Sequence, residues 1–335
     1  MASIVPQPEE NPNISKSNNH SVSLQRQEGW TEALLLHENF WFPEFVIPRI
    51  PDIRRHFVAC PTDIIISTFP RSGTIWLKSL LYAIIHRSRH ALGDPNHPIL
   101  TRSSHDLVPF LESPSNHSPT TTIIDILRNL DALPSPRLIS THLSYSLLPP
   151  SVADSGCRLV YLCCDPKDNF VSIWHFIKKV IVPKEVELDK AFQMYCEGSS
   201  PFGPVWEHNI QYWRASKELA DKILFLTYEE VTAAPAATSR RLAEFVGHPF
   251  TADEEKQNLV EEIVGLCSIE RMKSSAGNGT GAAKVSEQIT VPNAAFLRKG
   301  TVGDWSNYLS PEMGEKLDSI VEEKLRGTGL TFQRS

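Results

Sequence analysis

No window of this 335-residue chain approaches the ~18 consecutive apolar residues of a membrane span, so no membrane-embedded helix and no membrane partner are expected. The start, MASIVPQPEENPNISKSNNHSVSLQ, lacks a basic stretch followed by an apolar core, and no secretory leader is expected. Cysteine is sparse: Cys60, Cys157, Cys163, Cys164, Cys196 and Cys267 make no Cys-x-x-Cys pair. They read as reduced thiols, and the expected location is the cytoplasm. No set of His, Cys, Asp and Glu stands at ligand spacing, so no metal is implied. A strong charge of either sign is missing too, and a net charge of −6 argues against a nucleic-acid binder. There is no internal repeat. There is also no Gly-x-x-x-x-Gly-Lys-Ser/Thr loop, which a nucleotide kinase would need.

What is present is an ordinary globular make-up, 41% hydrophobic and 21% charged, enough for one large core. Residues 1–28 are rich in Pro, Asn, Ser and Gln and predict a disordered extension; residues 29–335 predict one domain. The segment LLLHENFWFPEFVIP, aromatic and broken by prolines, reads as irregular chain covering something apolar. Four short runs, 63–68, 137–141, 158–163 and 223–227, are apolar on consecutive positions and read as strands buried on both faces. Helical periodicity lies between them, at 75–85, 167–180, 206–221, 234–246, 253–266 and 311–325. This alternation predicts an α/β domain with a central, mainly parallel sheet flanked by helices. Two stretches, DPNHPILTRSSHDLVPFLESPSNHSPTTT and MKSSAGNGTGAAKVSEQITVPNA, read as mobile loops or lids. Within the second, GNGTG looks like a dinucleotide loop but follows no strand, so it reads as a flexible lid segment.

The chemistry concentrates in TDIIISTFPRSGTIWLKSLLYAI. A strand turns directly into a helix through Pro70, Arg71, Ser72, Gly73 and Thr74. Free N–H groups at a helix start, with the helix dipole, form an anion site. Gly73 permits close backbone approach, Ser72 and Thr74 add hydroxyls, and Arg71 adds a fixed positive fork. The ligand expected is a phosphate or a sulfate. FLRKGTVGDW gathers Arg298, Lys299 and Gly300 into a second anion site. SPRLISTHLSYSLLPP ends a strand on His142, and strand C-terminal ends are where such sheets bind ligands. VYLCCDPKDNFVSIWHF ends another strand at a turn that starts a helix.

Together these four stretches resemble the cytosolic sulfotransferase family, over about residues 30 to 332 and in the family's order. PFGPVWEHNIQYW and the polar N-terminal extension resemble its plant branch. The resemblance implies transfer of a sulfuryl group from 3′-phosphoadenosine 5′-phosphosulfate (PAPS), a co-substrate, to a hydroxyl of a small, aromatic or apolar acceptor. It implies a phosphosulfate loop at Arg71, Ser72, Gly73, Thr74 and Ile75, with His142 as general base. Arg71 stands where the family commonly has a lysine beside the leaving oxygen. Trp76 and Tyr228 match adenine contacts, although either could serve the core alone. Ser172, Arg298, Lys299 and Gly300 match the 3′-phosphate site. His175, one turn past Ser172, faces either the acceptor pocket or a helix neighbour.

Three departures stand out. CCDPKD places Cys164 where the family has a 3′-phosphate arginine, and a thiol is an uncharged, weak donor. LCSIERM, with Cys267 and Ile269, stands where the family often has Ser-Phe against adenine. SNYLSPEMGE lacks the dimer motif of many animal members, leaving monomer and weak dimer both open. An active PAPS-dependent sulfotransferase is the leading reading. The other is a protein of the same fold with weakened PAPS binding, acting as a ligand-binding or regulatory protein.

Overall fold

The computed structural model describes residues 24–30, 32–112, 122–180, 186–284 and 289–332. Its centre is a four-stranded parallel sheet of β4 (Ile64–Thr68), β5 (Leu138–Thr141), β6 (Arg158–Cys163) and β7 (Ile223–Thr227), in the order β5-β4-β6-β7. All four strands lie within a residue of the runs read from the sequence. Apolar side chains on successive positions serve two faces. Ile65, Ile139, Leu159 and Tyr161 pack into one core, and Ile64, Ile66, Leu138, Val160 and Leu162 into the other. Each fully buried aliphatic side chain contributes roughly 1.5–3 kcal/mol. Helices cover both faces. Those used below are α1 (Thr74–His86), α2 (Pro166–Val180), α3 (Val205–Glu218) and α4 (Pro311–Leu325).

The strand order fixes where a ligand can sit. The chain leaves β4 for β5 on one side, then returns to build β6 and β7 on the other. The reversal leaves a crevice beyond the C-terminal ends of the strands, the usual ligand position in open parallel sheets. At the opposite end the guanidinium of Arg137 donates from Nε to Oδ1 of Asp63 at 2.8 Å, with both residues buried. This pair locks the starts of β4 and β5 together.

The aromatic segment is not irregular. Its residues 34–43 form the hairpin of β2 (Leu34–His37) and β3 (Phe40–Pro43), which β1 (Arg26–Gln27) extends to a three-stranded antiparallel sheet. Glu38 and Asn39 both take positive φ, 46° and 69°, which makes the two-residue hairpin turn between His37 and Phe40. Phe40 and Phe42 are buried, and β3 is tied to the loop before α3 by Trp41 N–H to the Gly203 oxygen at 2.8 Å. The expected disordered extension lies mostly outside the described residues, although Arg26 and Gln27 already pair in β1.

Other departures are local. The helix expected at 253–266 is two, Ala252–Lys256 and Leu259–Leu266, divided at Asn258 with φ of 57°. The Pro/Ser-rich loop contains the turns Pro98–Thr101 and Ser104–Leu107 and pairs Phe110 with Ser140 at the edge of the sheet; residues 113–121 lie outside the described residues. In GNGTG, Ala276–Gly279 is a docked helical turn rather than a loose lid segment. Asn278 is buried and accepts from the Ser104 N–H, and a Cβ on Gly277 would stand 2.2 Å from the Arg102 oxygen. Two strands follow, Ala282–Lys284 paired antiparallel with Thr290–Pro292, and residues 285–288 lie outside the described residues. No helix among the described residues is long and apolar enough to cross a membrane.

Candidate active site

Four loops, one after each strand of the parallel sheet, meet at a cavity of about 300 Å³. After β4 come Pro70 to Gly73 and the start of α1. Arg71 and Gly73 take φ of 70° and 91°, bending the chain sharply enough to aim α1 at the cavity. Gly73 is required twice over: its φ suits glycine, and a Cβ would stand 2.8 Å from the Tyr228 ring. Gly73 gives α1 no side-chain cap, so the first-turn N–H groups remain available to an anion. Thr74 Oγ1 lies 2.7 Å from Thr68 Oγ1, holding the loop to the end of β4.

The cavity is positive at this end. The Arg71 guanidinium lies 4.7 Å from the centre of the Phe176 ring, and its Nε is buried with no acceptor among the described residues. Burial and the nearby Arg298 lower its pKa to about 10, which leaves it charged at neutral pH. The Arg298 Nε is likewise buried without an acceptor, while its Nη1 donates to Asp304. Two mutually repelling cations, each with an unused buried donor, fit an anion carrying more than one charge.

The segment bearing Arg298 and Gly300 is anchored through α2. Asp168 accepts from Gly303 N–H at 2.6 Å and Trp305 N–H at 2.9 Å. Tyr228, following β7, joins the two anion loops: its ring covers Gly73 and its hydroxyl donates to the Gly300 oxygen at 3.3 Å. Cys164, following β6, is buried in the cavity wall, and its thiol donates to Ser72 Oγ at 3.5 Å. Burial pushes that thiol's pKa well up, so it brings no charge to the positive end.

His142, following β5, lines the same cavity. Its Nδ1 lies 2.7 Å from the Thr68 carbonyl oxygen, which can only accept, so Nδ1 carries the proton. Nε2 therefore holds the lone pair, the tautomer a base requires. The backbone of His142 is held from both sides. Glu112 accepts its N–H at 2.6 Å, and His208 Nε2 donates to its carbonyl at 3.0 Å. Glu112 also accepts from Thr141 Oγ1 at 2.9 Å. Burial, reinforced by Lys78 and His208, lowers the His142 pKa to about 3, well away from the ordinary imidazole value. Burial also raises the Glu112 carboxyl to about 6, although its hydrogen bonds and Lys78 oppose the shift.

Of the residues singled out in the sequence, Arg71, Ser72, Gly73, Thr74, Ile75, Trp76, His142, Cys164, Ser172, Tyr228, Arg298 and Gly300 all line this cavity. Lys299 does not; it turns outward to Asp304 Oδ1 at 2.8 Å and Tyr308. Cys267 does not either. It ends the helix Leu259–Leu266 and is buried in the core on the α1 side, while Ile269 two residues on reaches the cavity. His175 packs edge-on against Tyr308 at 4.5 Å and is no part of the lining.

Sequence reasoning missed the layer behind His142. Glu112 and His105 line the cavity from the Pro/Ser-rich loop. Lys78, fully buried on α1, donates to the Val108 oxygen at 2.8 Å and sits 3.5 Å from the Phe110 ring centre. The one available signal for Lys78 was a lysine inside an apolar helix face.

Comparison with known proteins places this architecture. The Sulfotransferase domain family matches residues 61–329. "Cytosolic sulfotransferase 16" of Arabidopsis thaliana is 39% identical over 313 residues, 92% of this chain and 90% of the relative. A crystal structure of a putative steroid sulphotransferase from the same plant is 35% identical and superimposes with a TM-score of 0.71, covering 93% of each chain. A mouse sulfotransferase complexed with PAP, 24% identical, shares the fold with a TM-score of 0.67 over 88% of this chain and 94% of the other.

Proposed function

The chain belongs to the sulfotransferase family, and on that footing we propose that it moves a sulfuryl group from PAPS to the hydroxyl of a small, apolar or aromatic acceptor. The observation that carries this reading is the pairing of opposites in one cavity. An uncapped helix start with Arg71 and Arg298 faces a histidine whose Nδ1 is tied to a carbonyl. The unused Nε donors of Arg71 and Arg298 suit a ligand with two separate phosphate groups. PAP, the desulfated product, is what the structurally similar mouse sulfotransferase holds.

The donor supplies an electrophilic sulfur with a phosphate as leaving group. His142 Nε2 takes the acceptor's hydroxyl proton as the oxygen lone pair forms the new O–S bond. The bond between sulfur and the phosphate oxygen breaks, and its electron pair stays on that oxygen. Arg71 and the first-turn N–H groups of α1 hold the charge that develops there. Arginine keeps its proton throughout, so it acts by charge and hydrogen bonding. Glu112 keeps His142 in place and favours the imidazolium formed in the step. Arg298, Ser172 and the Gly300 backbone hold the 3′-phosphate, with Cys164 adding a neutral surface. Trp76, Tyr228 and Ile269 border the adenine.

Residues 29–335 are proposed to act as one such domain, in the cytoplasm, the location that the relatives' names give. The test is sulfate transfer from labelled PAPS to a panel of phenols and alcohols, with the product identified by its mass. PAP binding without transfer to any acceptor would favour a ligand-binding role instead.

A further inference from the structure

The walls where the acceptor is proposed to lie are largely apolar, with Phe45, Phe110, Ile173, Phe176 and Phe202 among them. Two carboxylates break that surface, Glu112 and Glu32. Glu32, in the approach to β2, lines the cavity beside Pro43 and Val46. It differs from Glu112, whose carboxylate is satisfied by Thr141 and the His142 N–H. Among the described residues no donor reaches the Glu32 carboxylate, and the one charge acting on it is the like charge of Glu44. Burial and Glu44 both raise its pKa. Glu44 itself meets Arg26 at 3.3 Å on the surface, and Arg26 is not paired with Glu32. Neither Arg71 nor Arg298 is among the charges acting on Glu32. The cavity is thus polarised, cationic where the donor is proposed to bind and carrying one uncompensated carboxylate in the acceptor wall.

We infer that Glu32 selects acceptors by charge, admitting neutral or cationic hydroxy compounds and refusing those that carry a carboxylate or another anion. The inference rests on the sulfotransferase reading, which makes this wall the acceptor's. An anionic acceptor would bring a second negative charge to a half-buried carboxylate that no cation offsets. A second hydroxyl or an ammonium group on the acceptor would instead donate to it, in a charge-assisted hydrogen bond. Selection of this kind needs no clash of shape, so it acts even between acceptors of the same size and ring.

The test compares three phenols: methyl 3-(4-hydroxyphenyl)propanoate, its free acid and tyramine. Binding to the full chain is measured by equilibrium dialysis, with and without PAP. The ester and the amine are expected to bind at least roughly tenfold more tightly than the acid, the effect of one partly screened unit charge. That gap narrows to within about threefold in Glu32→Gln and inverts in Glu32→Lys. In the wild-type protein it also narrows as salt is raised, a readout that needs no variant to fold. Equal binding of acid and ester, a gap that Glu32→Gln leaves intact, or no binding of any of the three at millimolar concentration would overturn the inference. Sulfate transfer is read separately. Its absence would count against the enzymatic reading, while the binding ratio would still decide the role of Glu32.

Discussion

The ring of His142 is tied to the end of the neighbouring strand: its Nδ1–H donates to the main-chain oxygen of Thr68 at 2.7 Å. That bond leaves Nε2 as the one nitrogen that can accept a proton. His142→Ala is expected to lower kcat by about 10²- to 10⁴-fold, the usual contribution of a positioned base. PAP affinity should stay within about threefold, since the phosphates are proposed to bind elsewhere. Single-turnover assays and dialysis with PAP separate the two. An unchanged kcat would remove His142 from the chemistry.

Glu112 is expected to set the acid-side pH dependence of the site. His142, with its pKa near 3, stays neutral across the working range, whereas Glu112 protonates near pH 6. The wild-type kcat/KM is therefore expected to fall as pH drops through about 6. Glu112→Gln should lose that limb and run roughly 10- to 100-fold slower at neutral pH, the worth of a charged hydrogen bond.

Stability carries the opposite sign at the same residue. The folded protein holds the Glu112 proton up to about pH 6, the unfolded chain only to about its ordinary value of 4.5. Folding then binds more protons than unfolding between those two values. The residue's contribution declines by about 2 kcal/mol as pH rises through the window. Urea melts of wild type and Glu112→Gln at both ends should show that difference narrowing in favour of the variant as pH rises.

The parallel sheet was legible because its strands are buried on both faces and so read as continuous apolar runs. The loop at Arg71 was legible because a strand turning straight into a helix carries its own anion chemistry. The hairpin at Glu38 and Asn39 was not. Both residues adopt positive φ without a glycine, and two prolines nearby suggested broken chain. The clamp on His142 was also hidden. Glu112 and His208 lie 30 and 66 residues away in sequence, and only the fold brings them together. Lys299 and Arg298 are adjacent in sequence and both reach Asp304, yet only Arg298 lines the cavity. No local pattern distinguishes the two.

The two glycines of the site should respond unequally to alanine. Gly73→Ala meets the Tyr228 ring at 2.8 Å as well as an unfavourable φ. Gly300→Ala meets the movable end of Ile269 at 2.7 Å. Each carries about 1–2 kcal/mol of backbone strain. Gly73→Ala is expected to cost more in stability and to weaken PAP binding further, as thermal melts with and without PAP would show. Equal losses would mean that Tyr228 yields easily.

Cys164→Arg would restore a charge beside Ser72. One charged hydrogen bond is worth ~1.5–3 kcal/mol, so PAP affinity should rise roughly 10- to 100-fold. Without ligand the variant should melt lower than wild type, because a third cation joins Arg71 and Arg298, and PAP should reverse that order. Titration calorimetry and melts measure both. Unchanged affinity would mean that the 3′-phosphate is already fully neutralised.

The central claim is that this cavity transfers a sulfuryl group. Incubating the chain with ³⁵S-labelled PAPS and neutral phenols, alongside His142→Ala, tests it most directly. The account predicts a labelled acceptor sulfate and PAP in equal amounts, with both lost in the variant. PAP binding with no labelled acceptor from wild type, or equal transfer by His142→Ala, would contradict it.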